Sequence, residues 1–397
     1  MPNHPPNPDV RLLDGQWYAS RPWQQLRWLR DHAPCYWDET SALWGITRHE
    51  DIMAIARDPE RFCSSGSSRP DAPPVPSMIN MDGPAHKVRR KLVNKGFTKR
   101  RLAAQESRIR GICAELIEKV APRGECDFVQ ELAAPLPMIM IGDMLGVAPE
   151  DRDRLLRWSD DLVVGSSSTA PQQKQQAAQQ AFAEYAAYNH GVVADRRAKD
   201  RGDDLMSILV HAKVGENRLD DAEILHEGLL LLVGGDETTR HAISGGMEAL
   251  IRHPEQRRAL RERPALMTKA VEEILRWTTP IQNMSRTATR DVELRGETIR
   301  AGEKLLLLYP SGNRDERVFE NPDVFDVERD ASLHVAFGGY GPHLCLGANL
   351  ARIEIRVMFE ELLRRLPDLE LASDEPLPVR PGSFILGFER MPVRWKN

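Results

Sequence analysis

One cysteine in a glycine-rich run is the residue of this sequence best placed to do chemistry. The run reads Phe337-Gly338-Gly339-Tyr340-Gly341-Pro342-His343-Leu344-Cys345-Leu346-Gly347, and a helical pattern starts at Ala348. A stretch this rich in glycine forms neither regular helix nor strand; it is a loop that bends tightly and approaches something closely. Cys345 lies at the mouth of the following helix, where free N–H groups and the positive end of the helix dipole favour a thiolate over a thiol. No second cysteine lies within a few residues, which argues against structural zinc and against an iron–sulfur cluster. A lone thiolate suits the axial position of a haem iron. The plain alternative is a buried structural thiol.

Two further clusters combine groups suited to a site. Gly234-Gly235-Asp236-Glu237-Thr238-Thr239 follows the apolar run Leu229 to Val233 inside a long helical pattern. Two glycines inside a helix cost about 1 kcal/mol each relative to alanine, so something requires the missing side chains, and a flat ligand lying on the helix is one reason. Thr238 can turn its hydroxyl to a carbonyl one turn back. An acid and a hydroxyl make a proton relay if they face a buried site; the other reading puts Glu237 and Thr239 on a solvated face. Glu273-Ile274-Leu275-Arg276 sets a glutamate and an arginine three apart on one helix face, which by itself is most simply a surface ion pair.

In order and spacing, these segments resemble the cytochrome P-450 family. The cysteine run is similar to the family's haem loop, Phe-Gly-x-Gly-x-His-x-Cys-x-Gly, with one departure. Phe337 stands eight residues before Cys345, where the common form has seven, so Gly338 takes the usual aromatic place; the ligand is unaffected, and the packing of Phe337 beside the haem is left open. The resemblance implies haem b with Cys345 as its axial thiolate, Gly234 and Phe337 beside the macrocycle, and His86, Arg90, Arg286 and His343 on its propionates. It implies that Glu237 relays protons and that Thr238 hydrogen-bonds dioxygen, since the segment matches the family's Ala/Gly-Gly-x-Asp/Glu-Thr. Glu273 and Arg276 match Glu-x-x-Arg, and Arg329 in Phe325-Asp326-Val327-Glu328-Arg329 matches the arginine that locks to that pair; the three support the haem loop and take no part in catalysis.

The elements that must position these groups are mostly helical. The pattern predicts helix over Asp14 to Arg30, His49 to Asp58, from Asp82 through Val120, Pro137 to Leu145, Ala148 to Val164, Pro171 to Arg197, Asp220 to Arg252, Pro264 to Trp277, and on from the cysteine loop to Leu366. Cys35 to Thr47 alternates as a hairpin, short strands run from Met284 to Tyr309, and the tail from Leu369 to Arg394 reads as hairpins. Residues 64–84 form a loop with five prolines and an apolar tip, Met78-Ile79-Asn80-Met81. A structureless stretch of that length marks either a linker or a binding loop, and the apolar tip favours a loop facing substrate. With no repeat and no clean linker, the expectation is one domain over residues 1–397, mainly α with a small β region. The resemblance implies the single triangular domain of the cytochrome P-450 fold.

Composition excludes several classes. The formal net charge is −5, so nothing suggests a general attraction to nucleic acid or to an anionic membrane. Five scattered cysteines are not a disulfide framework. The polar, proline-rich stretch Met1 to Val10 has no apolar signal core, and no run suits a membrane helix. A cytoplasmic enzyme without a membrane anchor is expected. No dinucleotide or flavin fingerprint is visible, so the resemblance implies electrons from NAD(P)H through a ferredoxin and a ferredoxin reductase. The basic residues Arg89, Arg90, Lys91, Lys99, Arg100 and Arg101 form either a docking face for the ferredoxin or a solvated surface.

The likeness extends to actinobacterial steroid side-chain hydroxylases that oxidise the terminal methyl of cholesterol or cholest-4-en-3-one. It rests on Arg69-Pro70-Asp71 through Thr98, Leu136 through Val147, Gly234 through Gly246, Leu275-Arg276-Trp277 and Pro381-Gly382-Ser383-Phe384. Met78, Ile79, Val233, Met284 and Ile385 are the expected pocket walls, with core packing as the competing reading of each. The implied function is insertion of one oxygen atom of dioxygen into a C–H bond of such a steroid. The same chemistry on a fatty acid, terpenoid or polyketide is the alternative, and a haem-thiolate sensor without turnover is the reading from another class. Glu237 and Thr238 favour turnover.

Overall fold

The computed structural model describes residues 4, 7, 9–165, 170–199, 202–214 and 217–396, so most of the predicted polar stretch Met1 to Val10 lies outside the described residues. The organising element is the 32-residue helix Asp221–Arg252, here the roof helix. Its start is written locally: the Asp220 carboxylate accepts from the Glu223 N–H while the Glu223 side chain accepts from the Asp220 N–H, a capping box. Ile224, Leu231, Leu232, Ile243, Met247 and Leu250 bury its inner face in the largest core cluster, among Met140, Ile141, Ile274 and Phe359. The helices Pro135–Leu145, Met267–Thr278 and Ala348–Arg365 supply those partners.

Several predicted helices are broken where the chain turns. Arg21 adopts a left-handed conformation before Pro22 and divides the first segment into Gly15–Ala19 and Trp23–His32. The segment from Asp82 forms Gly83–Val93, a 3-10 turn Asn94–Phe97, and then Lys99–Val120, which Thr98 caps by accepting from Arg101. The segment at Pro264 begins as a 3-10 turn, Pro264–Leu266, before Met267–Thr278. Helices Leu205–His211 and Pro254–Glu262 were not expected; they are too short for periodicity to declare them.

The main sheet has five strands in the order Cys35–Asp38, Leu43–Ile46, Lys304–Leu308, Asn283–Ala288, Phe62–Cys63. The predicted hairpin forms with Trp37 opposite Trp44. Its second strand does not alternate in burial, because it runs parallel to Lys304–Leu308 between two apolar clusters. The tail contributes a hairpin, Val379–Arg380 against Gly387–Phe388, and the strand Pro392–Arg394, which pairs with Glu370–Leu371 and with Glu125–Asp127. Among the described residues, no helix is long and apolar enough to cross a membrane.

Candidate functional site

The cysteine loop is pressed onto the helix His49–Ala56. A Cβ at Gly341 would lie 1.8 Å from the Ala56 carbonyl oxygen, and one at Gly339 would lie 2.5 Å from the Ala56 Cβ. Those two glycines serve backbone contact, whereas Gly338 serves the turn itself with φ +92°. The Cys345 N–H donates to the Phe337 carbonyl at 3.0 Å and closes the loop. The Phe337 ring lies 4.6 Å from the Arg352 guanidinium carbon and 5.5 Å from the His334 ring. The extra glycine therefore leaves Phe337 packed and clamped.

Two braces, one buried and one half-buried, hold this loop. Arg276 donates to both oxygens of Glu273 at 2.7 Å, and neither side chain is exposed. Arg329 approaches Glu273 at 3.3 Å, as predicted. Arg276 also donates to the Asn313 carbonyl at 2.9 Å, and the Asn313 side-chain oxygen accepts from the Val335 N–H at 2.7 Å, two residues before Phe337. The surface-pair reading is excluded by this burial. A second brace was not read from the sequence: Glu272 accepts from Arg352 at 2.7 and 2.8 Å and contacts His334 at 3.1 Å. Its signal was present in the spacing of Glu272 beside Glu273, but nothing local names an arginine 80 residues away as the partner.

The Cys345 sulfur faces an opening although protein surrounds it. Burial pushes the thiol above its usual range; the Gly347 N–H, Arg90, Arg352 and the Ala348 N–H pull it back only in part. The helix-mouth donors thus favour the thiolate, as expected, while desolvation opposes it, and a bound cation would favour deprotonation further. Gly234 lies on the exposed side of the roof helix, and a Cβ there would meet nothing within 4 Å. Gly235 differs. A Cβ there would lie 2.8 Å from Ile141 Cγ1, so its missing side chain serves helix packing and not a flat ligand.

The four expected propionate partners come together. The His86 and His343 rings are 4.2 Å apart, and the Nε2 atoms of both are buried without a hydrogen-bond partner. His343 stands 3.8 Å from Asp82, too far for a hydrogen bond. Burial, then His343 and Arg90, push His86 down to about 4. Arg90 and Arg286 both act on His86 and His343, and Arg286 spends one donor on the neighbouring Ser285 carbonyl at 2.7 Å. Orphaned donors on one rim, a thiol on one wall and open space against Gly234 fit an anionic, flat cofactor held by a cysteine.

The Thr238 hydroxyl donates to the Gly234 carbonyl at 3.0 Å, so the residue sits over the open space, as its spacing implied. Glu237 is fully buried, which removes the solvated-face reading. It pairs with Arg240, contacts His241 Nε2 at 3.3 Å and accepts from Arg380 at 3.2 Å. Burial opposes its charge, yet His241, Arg240 and Arg380 together hold it well below the usual carboxylate range. Arg240 and Arg380 also reach Asp160, at 2.7 and 3.2 Å, whose side chain is 30% exposed. Two arginines thus join a half-exposed carboxylate to the buried one. The adjacent Asp236 is the opposite case: both its oxygens are buried without partners, and burial raises it to about 8. Thr239 is buried as well, against Glu354, which burial also raises to about 8.

Among the expected pocket residues, Met78 is 7% exposed and Ile79 and Val233 are half-buried. Met284 shares a strand face with Arg286, two residues on. Ile385 is buried and bridged to Ile281. The basic cluster is not one face. Arg89 is buried against Glu223 and Glu227, and Arg101 is engaged by Asp203; Lys91 and Arg100 are exposed, and the Lys99 side chain lies outside the described residues.

Comparison with known proteins matches this geometry. The family profile "Cytochrome P450", written here cytochrome P-450, matches residues 49–265 and 263–392. A steroid C26-monooxygenase of Mycobacterium tuberculosis is 50% identical over 388 residues, 97% of each chain. A methyl-branched lipid omega-hydroxylase of Mycobacterium bovis is 40% identical over 89% of this chain and 84% of its own. The crystal structure of a Mycobacterium marinum cytochrome P-450 in complex with pseudoionone superposes with a TM-score of 0.91 at 33% identity, covering 99% of this chain and 100% of that one. With its helical architecture, its cysteine loop and this breadth of match, the chain belongs to the cytochrome P-450 family.

Proposed function

We propose that the chain acts as one catalytic unit, a haem-thiolate monooxygenase that hydroxylates the terminal methyl of a steroid side chain, such as that of cholest-4-en-3-one. The observation that carries this reading is the 97% mutual coverage at 50% identity with a steroid C26-monooxygenase, in a chain that sets Thr238 on the open side of the roof helix and Glu237 behind it. Bound haem would supply dioxygen activation, with dioxygen as the oxidant and two electrons from an external donor reducing its second oxygen to water. The rest is the chain's work. Cys345 would ligate the iron, His86, Arg90, Arg286 and His343 would neutralise the propionates, and Glu273, Arg276 and Arg329 fix the loop.

Protons reach the site through this chain's own carboxylates. Asp160 samples solvent, and Arg240 and Arg380 connect it to Glu237. Turned off its arginines, the Glu237 carboxylate regains an ordinary affinity for a proton, takes one from Asp160, which is reprotonated from solvent, and passes it to the Thr238 hydroxyl beside Gly234. Met78, Ile79, Val233, Met284 and Ile385 exclude water and orient an apolar side chain. Electrons come from NAD(P)H through a ferredoxin and its reductase in the cytoplasm, docking on the cysteine side near Lys91 and Arg100.

The test is titration of the purified holoprotein with cholest-4-en-3-one, followed by turnover with ferredoxin, reductase and NAD(P)H and mass analysis of products. A terminally hydroxylated steroid is expected. Absence of any spectral shift or product, with normal carbon-monoxide spectra, would sink the steroid reading. A branched-chain fatty acid is the second substrate to try, because the lipid omega-hydroxylase relative is 40% identical.

A further inference from the structure

We propose that Glu227 of the roof helix is a latch on the substrate loop: its carboxylate, held by Arg89, binds the backbone N–H of Met78, and the loop tip must leave it to admit or release substrate. Glu227 is a positioning residue in this assignment, not a catalytic one, and the assignment rests on reading residues 64–84 as the loop over the substrate.

The loop is tied at its base by several contacts. The Asp82 carboxylate accepts from Ser64 at 2.9 Å and from Ser65 at 2.8 Å, and Asn80 accepts from the Ser68 N–H at 2.8 Å. Arg69 donates to Asn283 at 3.2 Å, and Lys304 donates to the Pro70 carbonyl at 2.8 Å. The tip is held differently. Among the described residues, the hydrogen bond from the tip backbone to the rest of the protein is that from Met78 N–H to Glu227 Oε1, at 2.7 Å. Arg89, on the helix Gly83–Val93 that follows the loop, donates to the same oxygen at 3.0 Å and pairs with Glu223. Glu227 lies seven residues before Gly234, two turns along one stripe of the roof helix and about 10 Å away along its axis. The latch and the open space therefore share one helix face.

The closed contact is made at a sacrifice that permits opening. Glu227 Oε2 and the hydroxyl of Ser77, the residue before the latched N–H, are both buried without partners. Each would regain water if the tip lifted. Burial raises Glu227 to about 7 against the pull of Arg89 and the Met78 N–H, with Glu223 adding to the rise. Arg89 faces it from the helix Gly83–Val93, Glu223 from the roof helix itself, and the Met78 N–H from the loop. A carboxyl released into water returns toward its ordinary value of 4.5. The closed state thus binds its proton more tightly, so closure weakens as pH rises from about 4.5 to about 7 and changes no further above that.

The test is hydrogen exchange of the haem-loaded, substrate-free protein, read at the amides of residues 75 and 77–81 against the base amides of residues 64 and 65. Glu227→Leu removes the acceptor at similar volume and should speed tip exchange at least tenfold while leaving the base unchanged. Met78→Pro removes only the latched donor from the backbone; Ser77 is already extended at φ −130° and ψ 163°, as the residue before a proline requires. It should speed exchange of Ile79 and Asn80 in the same way, and it decides the matter if Glu227→Leu does not load haem. Glu227→Gln keeps an acceptor and should leave the tip closed while abolishing the pH dependence between about 4.5 and 7. Dissociation of bound cholest-4-en-3-one should be at least tenfold faster in Glu227→Leu. Tip exchange unchanged in the loaded Glu227→Leu or Met78→Pro protein would overturn the latch. A wild-type protein that ignores the steroid would count against the substrate reading alone, because the exchange result needs no ligand.

Discussion

The two adjacent glycines of the roof helix, treated alike by their sequence, should respond to alanine with opposite signs. A methyl at Gly234 meets nothing within 4 Å, so Gly234→Ala adds no clash and gains the helix propensity that glycine forgoes, up to about 1 kcal/mol. A methyl at Gly235 lies 2.8, 3.0 and 3.1 Å from Ile141 Cγ1, Cδ1 and Cβ. Ile141 is itself buried at 2% exposure in the main core and has little room to yield. Overpacking of this kind costs about 1–3 kcal/mol, so after the same propensity gain Gly235→Ala should be destabilising by up to about 2 kcal/mol. Denaturant unfolding of the haem-free proteins measures both, and the carbon-monoxide spectrum of the loaded forms reports whether the thiolate site survives. Ile141→Ala in the Gly235→Ala background should recover part of the loss, a favourable coupling of about 1 kcal/mol for residues in contact. Equal destabilisation by the two glycine substitutions, or a zero coupling to Ile141, would refute the assignment of Gly235 to packing and of Gly234 to the open face.

Other predictions follow from the braces and the buried acids. Glu273→Gln or Arg276→Met, each breaking a buried ion pair from one side, should cost about 3–5 kcal/mol and abolish haem loading, as read by thermal melts and the Soret absorbance. Glu237→Gln should keep the haem and its substrate response yet lose most hydroxylated product per NAD(P)H consumed, because the proton path from Asp160 ends there. Asp236 holds its proton to about 8 in the fold, so the folded state binds more protons than the unfolded chain between about 4 and 8, and stability should fall as pH rises through that window. Asp236→Asn should flatten that slope and raise the melting temperature at pH 8; an unchanged slope in calorimetry would contradict a neutral Asp236.

Part of this was legible before any coordinates because it is local chemistry. Three glycines, a proline and Cys345 could only be a tight loop before a helix, Asp220 and Glu223 cap the roof helix within four residues, and Glu273 and Arg276 meet across one turn. Those relations depend on near neighbours, and so sequence by itself determined the tight loop, the helix cap and the Glu273–Arg276 contact, while the roles expected of Cys345, Glu237 and Thr238 rested on the family resemblance. Residues joined across the chain were not legible. Arg89 read as surface charge in a basic run, but helix packing turns it onto Glu227 and Glu223. Gly235 read as ligand space until Ile141 stood against it, and the desolvation that opposes the Cys345 thiolate has no local signature. Tertiary structure decided these because burial and long-range pairing, absent from local spacing, set both the sign of a charge's effect and the room a side chain has.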